Sequence, residues 1–472
     1  MGLGDIADQV TRGVEGLGAS LSETFFEPVV RLGVTGLARA GKTVFITSLV
    51  SNLLDRGRMG AIPAVSSGAI RAVYLQPQPH VTLPRFDYEA HRAALTGPDP
   101  HWPESTRSIS ELRLSFRIQP TGLRGFVSGL RTIHLDIVDY PGEWLLDLAL
   151  LDKDYAQWSA EVLARLEHRA EATGYVAALG GVEGSAPLDE PVAQRLAAEF
   201  TRYLTQARAA GYSDCTPGRF LLPGDLAGSP VLTFAPLPKP ADPPRKSLWR
   251  EMERRYDAYR SRVVKPFFRD HFARIDRQVV LVDALGAIHA GPRAVEDMRR
   301  ALAEILGAFR TGRNGFLSEI LLGRRVEKLL IAATKADHLH HSQHARLTAI
   351  VQAMLREARD RADFSGAETT AMAIAALRAT VEEDRSHDGA VLGMVRGRLA
   401  DSDRNVALYP GELPADPDQI LSAAHSGAAN WLEGDFDAMR FAPARMMLKP
   451  GDGLPHIRLD RAAEFLIGDR LR

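Results

Sequence analysis

Val29-Val-Arg-Leu-Gly-Val34-Thr-Gly36-Leu-Ala-Arg-Ala-Gly41-Lys42-Thr43 is the stretch that decides the fold. Residues 29–34 are apolar and rich in valine, the composition of a buried strand, and they run into a glycine loop. The loop has the spacing G-x-x-x-x-G-K-[ST], and wrapping a phosphate explains each residue type. Backbone N–H groups have to turn inward, which glycines permit, and a following helix points its positive end at the anion. The spacing predicts that helix over 42–54, with Val44, Phe45, Ser48 and Leu49 on one face. Lys42 would reach the outer phosphates and the Thr43 hydroxyl a Mg2+ ion, with Gly36, Arg39, Ala40, Gly41 and Val44 completing the cradle.

Two further segments repeat the pattern of an apolar strand that ends in a short polar sequence. In Leu135-Asp-Ile-Val138-Asp139-Tyr140-Pro141-Gly142-Glu143, Asp139 stands at the strand end, where a carboxylate would hold Mg2+ through water. The Gly142 N–H would then sense a γ-phosphate. Asp136 competes for the metal role but lies within the strand. In Leu329-Leu-Ile-Ala-Ala-Thr334-Lys335-Ala336-Asp337, the final carboxylate would accept two hydrogen bonds from the N1–H and exocyclic amine of guanine. Adenine offers no such donor pair, so Asp337 would discriminate against ATP. The stem of Lys335 would cover the base. A helix cap or a surface turn is the competing reading of 334–337. A base-contact loop is expected one strand later, at Ala376 and Leu377 in Met372-Ala-Ile-Ala-Ala376-Leu377-Arg378.

The bulk properties fit a large soluble chain. It has 472 residues, too many for one ordinary core, with 45 % hydrophobic and 25 % charged residues. The net charge of −1 gives no reason to expect nucleic acid as a partner. The single cysteine, Cys215, cannot form an internal disulfide and has no histidine near it in sequence, so a structural role is expected. No segment reaches the ~20 apolar residues of a membrane span and no secretory signal is apparent, so the expected location is the cytoplasm. Residues 5–27 carry an amphipathic helical pattern that would either pack on the body or contact the inner membrane.

Strands alternate with helices along the chain, which implies an α/β fold. The expected architecture is a P-loop NTPase with a mainly parallel sheet flanked by helices, a large helical insertion and a C-terminal α+β extension. Expected boundaries are 1–28 for the N-terminal helix, 29–149 and 276–395 for the two parts of the nucleotide-binding unit, 150–275 for the insertion and 396–472 for the extension. Residues 60–105 lack periodicity and are expected to form a long excursion. Strands are expected at 112–118, 132–138, 278–282 and 328–333.

Taken in order, the three motifs resemble those of the GTPase superfamily, with Thr334 where asparagine is commoner. Val34-Thr-Gly-Leu-Ala-Arg-Ala-Gly-Lys-Thr43, Asp136-Ile-Val-Asp-Tyr-Pro-Gly-Glu143, Asp276-Arg-Gln-Val-Val-Leu-Val-Asp283 and Leu454-Pro-His-Ile-Arg-Leu-Asp460 resemble the YcjX-like family of bacterial stress-linked, GTPase-like proteins. That resemblance implies binding of GTP or GDP with Mg2+, and an unidentified protein partner connected with the envelope-stress (phage-shock) response. Small GTPases position the attacking water with glutamine where this chain has Glu143, whose charge would repel a γ-phosphate unless a cation shields it. Slow hydrolysis is therefore expected, with a kcat below about 1 s−1 in the absence of a partner. Thr106, before a strand, is the expected switch I threonine, acting in metal binding and catalysis; Thr82 is the runner-up. Arg39 and Arg107 are candidate charge stabilisers, with a solvated fate as the alternative. His340 and His344, four apart, would share a metal only if helical; a solvated loop at the rim of the nucleotide site is the favoured reading. A regulatory switch is the leading reading. An ATP-using machine and a nucleotide-held scaffold with vestigial hydrolysis are the alternatives.

Overall fold

The computed structural model describes residues 27–37, 39–104, 108–119, 129–307, 326–356, 367–387, 389–426 and 438–472. Its centre is a seven-stranded sheet in the order β2-β3-β4-β1-β5-β6-β7. The strands are β1 (Val29–Gly36), β2 (Ile70–Gln76), β3 (Ser110–Ile118), β4 (Arg131–Asp139), β5 (Arg277–Val282), β6 (Lys328–Ala333) and β7 (Glu368–Ala373). β4, β1, β5, β6 and β7 are mutually parallel, and β3 and β2 add antiparallel at one edge.

The apolar runs at β5 and β6 have a direct cause. Side chains alternate across a strand, and here both faces are covered. Val280 and Val282 of β5 and Leu329, Ile331 and Ala333 of β6 enter one core. Val279, Leu281, Leu330 and Ala332 enter the other. Helix α1 (Lys42–Asp55) lies in the second core through Phe45, Ile46, Leu49 and Val50.

The excursion over 60–105 contains edge strand β2 and helix α2 (Tyr88–Thr96). Most of β2 is half-buried, since it has one neighbour and one open edge. No clean alternation marks it in the sequence. Asp87 caps α2 by accepting the Ala90 N–H at 3.2 Å.

Between β4 and β5 the chain is mainly helical. Helices α3 (Tyr155–Leu166), α4 (Glu190–Ala209) and α5 (Leu248–Tyr259) share an aromatic core with the sheet's first face. Trp158 stacks on Tyr256 with centroids 5.0 Å apart, and Phe200 and Phe234 meet its edge. The loop over 216–244 threads Phe234 and Leu237 into this core. Helix α6 (Pro292–Gly307) returns the chain to the sheet between β5 and β6.

The C-terminal part divides in two. β8 (Thr380–His387), β9 (Ala390–Arg398) and β10 (Asn405–Leu408) form a separate antiparallel sheet. This sheet starts at Thr380, so β9 runs across the expected boundary at 395/396. Helix α7 (His344–Met354) precedes β7, and helix α8 (Leu459–Ile467) packs its Leu459, Ala462, Ala463 and Leu466 into the second core of the main sheet. Among the described residues no helix is long and apolar enough to cross a membrane. Residues 1–26, which carry nearly all of the expected N-terminal helix, lie outside the described residues, as do Thr106 and Arg107.

Candidate functional site

The five parallel strands finish on one edge. The register pairs Val34 with Asp139, Gly36 with Leu281, Val282 with Ala333 and Ala333 with Ala373. The loops that follow these strands are therefore neighbours, where open α/β sheets bind ligands.

Beyond β1 the loop is built from backbone bonds. Leu37 N–H donates to Leu281 O at 3.1 Å, Ala40 N–H to Leu37 O at 3.1 Å, and Phe45 N–H to Gly41 O at 2.9 Å. Gly41 is left-handed at φ 76°, and a Cβ there would find nothing within 4 Å. Conformation, and not space, calls for glycine at this point. Arg39 is also left-handed, at φ 63°. Its guanidinium donates to Ala209 O at 3.1 Å, so its side chain reaches the C-terminus of α4. Thr43 is 6 % exposed at the start of α1, and Val44 follows it.

Lys42 Nζ forms an ion pair with Asp139 Oδ1, both side chains being largely buried. Asp136 is held within the sheet by a bidentate pair with Arg113 at 2.6 and 2.8 Å. Asp139 is thus the carboxylate at the strand end. Among the described glycines, Gly142 makes the tightest backbone approach: a Cβ there would stand 1.9 Å from Gly36 O. The segment after β4 is wedged against the loop after β1.

Glu143 is 8 % exposed, and its Oε1 lies 2.6 Å from Arg208 Nη2 in the last turn of α4. A Cβ on Gly218 would clash with Glu143 O, so the insertion also meets Glu143 through its backbone. Trp144 follows, under the Arg219 guanidinium at 3.3 Å, with Phe267 against its edge at 5.9 Å. Asp147 accepts the Gly218 N–H at 2.7 Å and the Tyr259 hydroxyl. Burial pushes its carboxyl up to about 7, against the pull of those donors and of Arg219.

At the end of β6, Thr334 Oγ1 donates to Val282 O at 3.2 Å. Lys335 is left-handed at φ 60° and pairs with Asp283. Asp283 also caps the short helix Ala284–Ala290 by accepting the Gly286 N–H at 3.0 Å. Asp337 is 4 % exposed, which rules out a surface turn. Its Oδ2 accepts the Ala379 N–H at 2.8 Å, and its main-chain oxygen accepts the Thr380 hydroxyl. Ala376 and Leu377, just past β7, are buried, and the neighbouring Ala375 pairs with Ile457 through bonds of 3.0 and 2.8 Å. Arg378 N–H donates to Pro455 O at 2.8 Å. The C-terminal segment thus backs the loop after β7.

The pair His340 and His344 does not form. His344 is buried, with Nε2 on Ala336 O at 2.8 Å and Nδ1 facing Arg458 Nη1 at 3.2 Å, so both ring nitrogens are used within the fold. Burial, with Arg458 beside it, pushes this imidazole below its usual range. Thr82 is exposed. Sequence reasoning misses Arg208, Asp147 and the contact role of Asp283. Arg208 meets Glu143 across 65 positions, and no local pattern signals such a contact.

The model of the family described as "YcjX-like family, DUF463" matches residues 30–471. A protein of Escherichia coli (strain K12) named "Ras-like GTPase YcjX" is 38 % identical over 459 residues, 94 % of this chain and 96 % of the relative. A protein of Shewanella oneidensis with the same name is 35 % identical over 473 residues, 94 % of each chain.

Proposed function

The chain belongs to the YcjX-like family, and from that premise and the site geometry we infer that it is a GTP-binding protein with slow hydrolysis, working as a nucleotide-dependent switch. The observation that carries this is the meeting, on one sheet edge, of the glycine loop, the Lys42–Asp139 pair and the buried Asp337. The name of these relatives, Ras-like GTPase, supports the same reading.

The residues divide the work by charge. Loop N–H groups and Lys42 bind phosphate, and Asp337, with the stem of Lys335, selects guanine. The residues also fit a Mg2+ ion: Asp139 is an anion turned toward Lys42 at the mouth of the loop, and Thr43 sits one residue past Lys42. Thr43 and Asp139 would hold the ion, which supplies charge neutralisation between the outer phosphates. Glu143 would orient water, and Arg208 is the cation that shields its charge from the γ-phosphate. The insertion touches the site at both Arg39 and Glu143, so ordering of the 139–143 segment by a γ-phosphate would move α4. Envelope stress, with an unidentified protein partner, is the setting suggested by the family resemblance.

Calorimetry with GDP, GTP and ATP in Mg2+ tests the reading on the wild type, Asp337→Ala and Asp337→Asn. The asparagine amide oxygen can still take the Ala379 N–H, so this variant separates base reading from folding. The expected outcome is guanine selectivity in the wild type and a loss of about 100-fold in both variants. Equal ATP and GTP binding, unchanged by either substitution, would leave only a general nucleotide-binding loop.

A further inference from the structure

His340 and His341 follow the Thr334–Asp337 segment, and Glu382 and Asp384 lie two apart on β8, facing the same side of the small sheet. His340, His341 and Glu382 converge, and Asp384 lies beside His340. His340 Nε2 is 3.7 Å from Glu382 Oε2 and 3.5 Å from Asp384 Oδ1, and His341 Nδ1 is 2.7 Å from Glu382 Oε2. The two imidazole centroids are 4.2 Å apart. One ligand atom from each of His340, His341 and Glu382 falls within 4.8 Å of the others.

Three details go beyond chance proximity. His340 Nδ1 is engaged by Ser342 Oγ at 2.9 Å, which leaves Nε2 as the ligand atom and fixes the ring. The ring rests on the backbone of β9 at Gly393, the residue opposite Asp384, where a Cβ would stand 2.7 Å from His340 Cγ. Arg378 Nη2 lies 3.5 Å from Glu382 Oε1, the oxygen that does not face the imidazoles, so the carboxylate is oriented from behind. Around a tetrahedral Zn2+ with bonds near 2.0–2.1 Å, ligand atoms stand about 3.3 Å apart. The 3.5 and 3.7 Å separations already match that edge, and the 2.7 Å contact is the hydrogen bond that a metal would replace.

We propose that His340, His341 and Glu382 form the core of a structural Zn2+ site, with the exposed Asp384 beside His340 turning in as the fourth ligand, and that this site fastens the segment after Asp337 to β8. Two imidazoles favour a borderline metal over Mg2+ or Ca2+, which take oxygen ligands. The site uses neither Thr43 nor Asp139 and does not depend on the identity of the nucleotide. The tie has a consequence for the base loop. Asp337 already bonds Ala379 and Thr380, so the metal would reinforce the same junction a few residues further on.

The test uses tag-free full-length protein, stripped with a chelator and free of nucleotide, titrated with ZnCl2 in millimolar Mg2+. One equivalent bound by the wild type is expected, with a rise in melting temperature. His341→Ala and Glu382→Gln are each expected to weaken binding at least about tenfold and to abolish the thermal shift. His341 is largely exposed and its ion-pair partner is Glu382, so His341→Ala should keep its fold, as circular dichroism would verify. No uptake by the wild type, or uptake unchanged in either variant, overturns the proposal.

Discussion

Gly142 is the residue at which the segment after β4 meets the nucleotide loop backbone to backbone. A methyl group there would meet Gly36 O at 1.9 Å, and a main-chain carbonyl in the phosphate loop cannot swing aside as a flexible side chain can. Gly142→Ala is therefore expected to destabilise the protein by about 1–3 kcal/mol, the usual cost of overpacking. Because relief requires the loop after β1 to shift, GTP affinity should fall with it. Urea unfolding and calorimetry on the same variant would show both effects. A variant with wild-type stability and affinity would mean that the 142 segment stands off the loop in solution. Gly142 was legible as a motif residue from its place three after Asp139. The contact that makes it intolerant of a side chain was not, since Gly36 is over a hundred positions away.

At the scale of elements, α4 decides how the insertion reads the site. Its last turn supplies Arg208 to Glu143 and the Ala209 carbonyl to Arg39. Glu143 is nearly buried, so removing its cation leaves a poorly solvated charge beside the expected γ-phosphate position. Arg208→Ala should weaken GTP roughly tenfold relative to GDP, the size of one charge-assisted hydrogen bond. Glu143→Gln in the same chain should restore the ratio, and a double-mutant cycle by calorimetry measures the coupling. If the two substitutions act additively, the pair is an incidental surface contact. The helices themselves were readable from the period of Val192, Leu196, Phe200 and Leu204, with the valine half-exposed and the other three buried. Edge strand β2 was not, because an open edge imposes no alternation.

At the scale of the whole molecule, the insertion and the sheet share one core, and Asp147 is the titratable group within the joint. Its carboxyl is raised from 3.8 to about 7 by burial. In the unfolded chain it ionises near pH 4. Between about pH 4 and 7 the folded state thus holds a proton that the unfolded state has lost, and stability from this group declines as pH rises through that window. Wild type should lose urea stability relative to Asp147→Asn between about pH 4 and 7, with little further change above. The asparagine oxygen can still accept the Gly218 N–H, and its NH2 would face the Tyr259 hydroxyl oxygen, which then accepts where it now donates. Parallel pH profiles for the two proteins would mean that Asp147 is ionised throughout.

The sequence by itself determined the α/β class, the order of the three strand-end motifs and the positions of the main parallel strands. Each of these is written in contiguous residues: a β-branched run buried on both faces, a glycine loop, a carboxylate at a strand end. Tertiary structure alone decided which side chains meet across long separations. It turned Arg39 to α4 instead of the loop's interior, brought Arg208 to Glu143, drew the segment 454–460 against the loop after β7, and set His340 and His341 opposite Glu382 and Asp384 in place of His344. The physical reason is that periodicity records which face of an element is buried, whereas the partner on that face is fixed by how the elements pack.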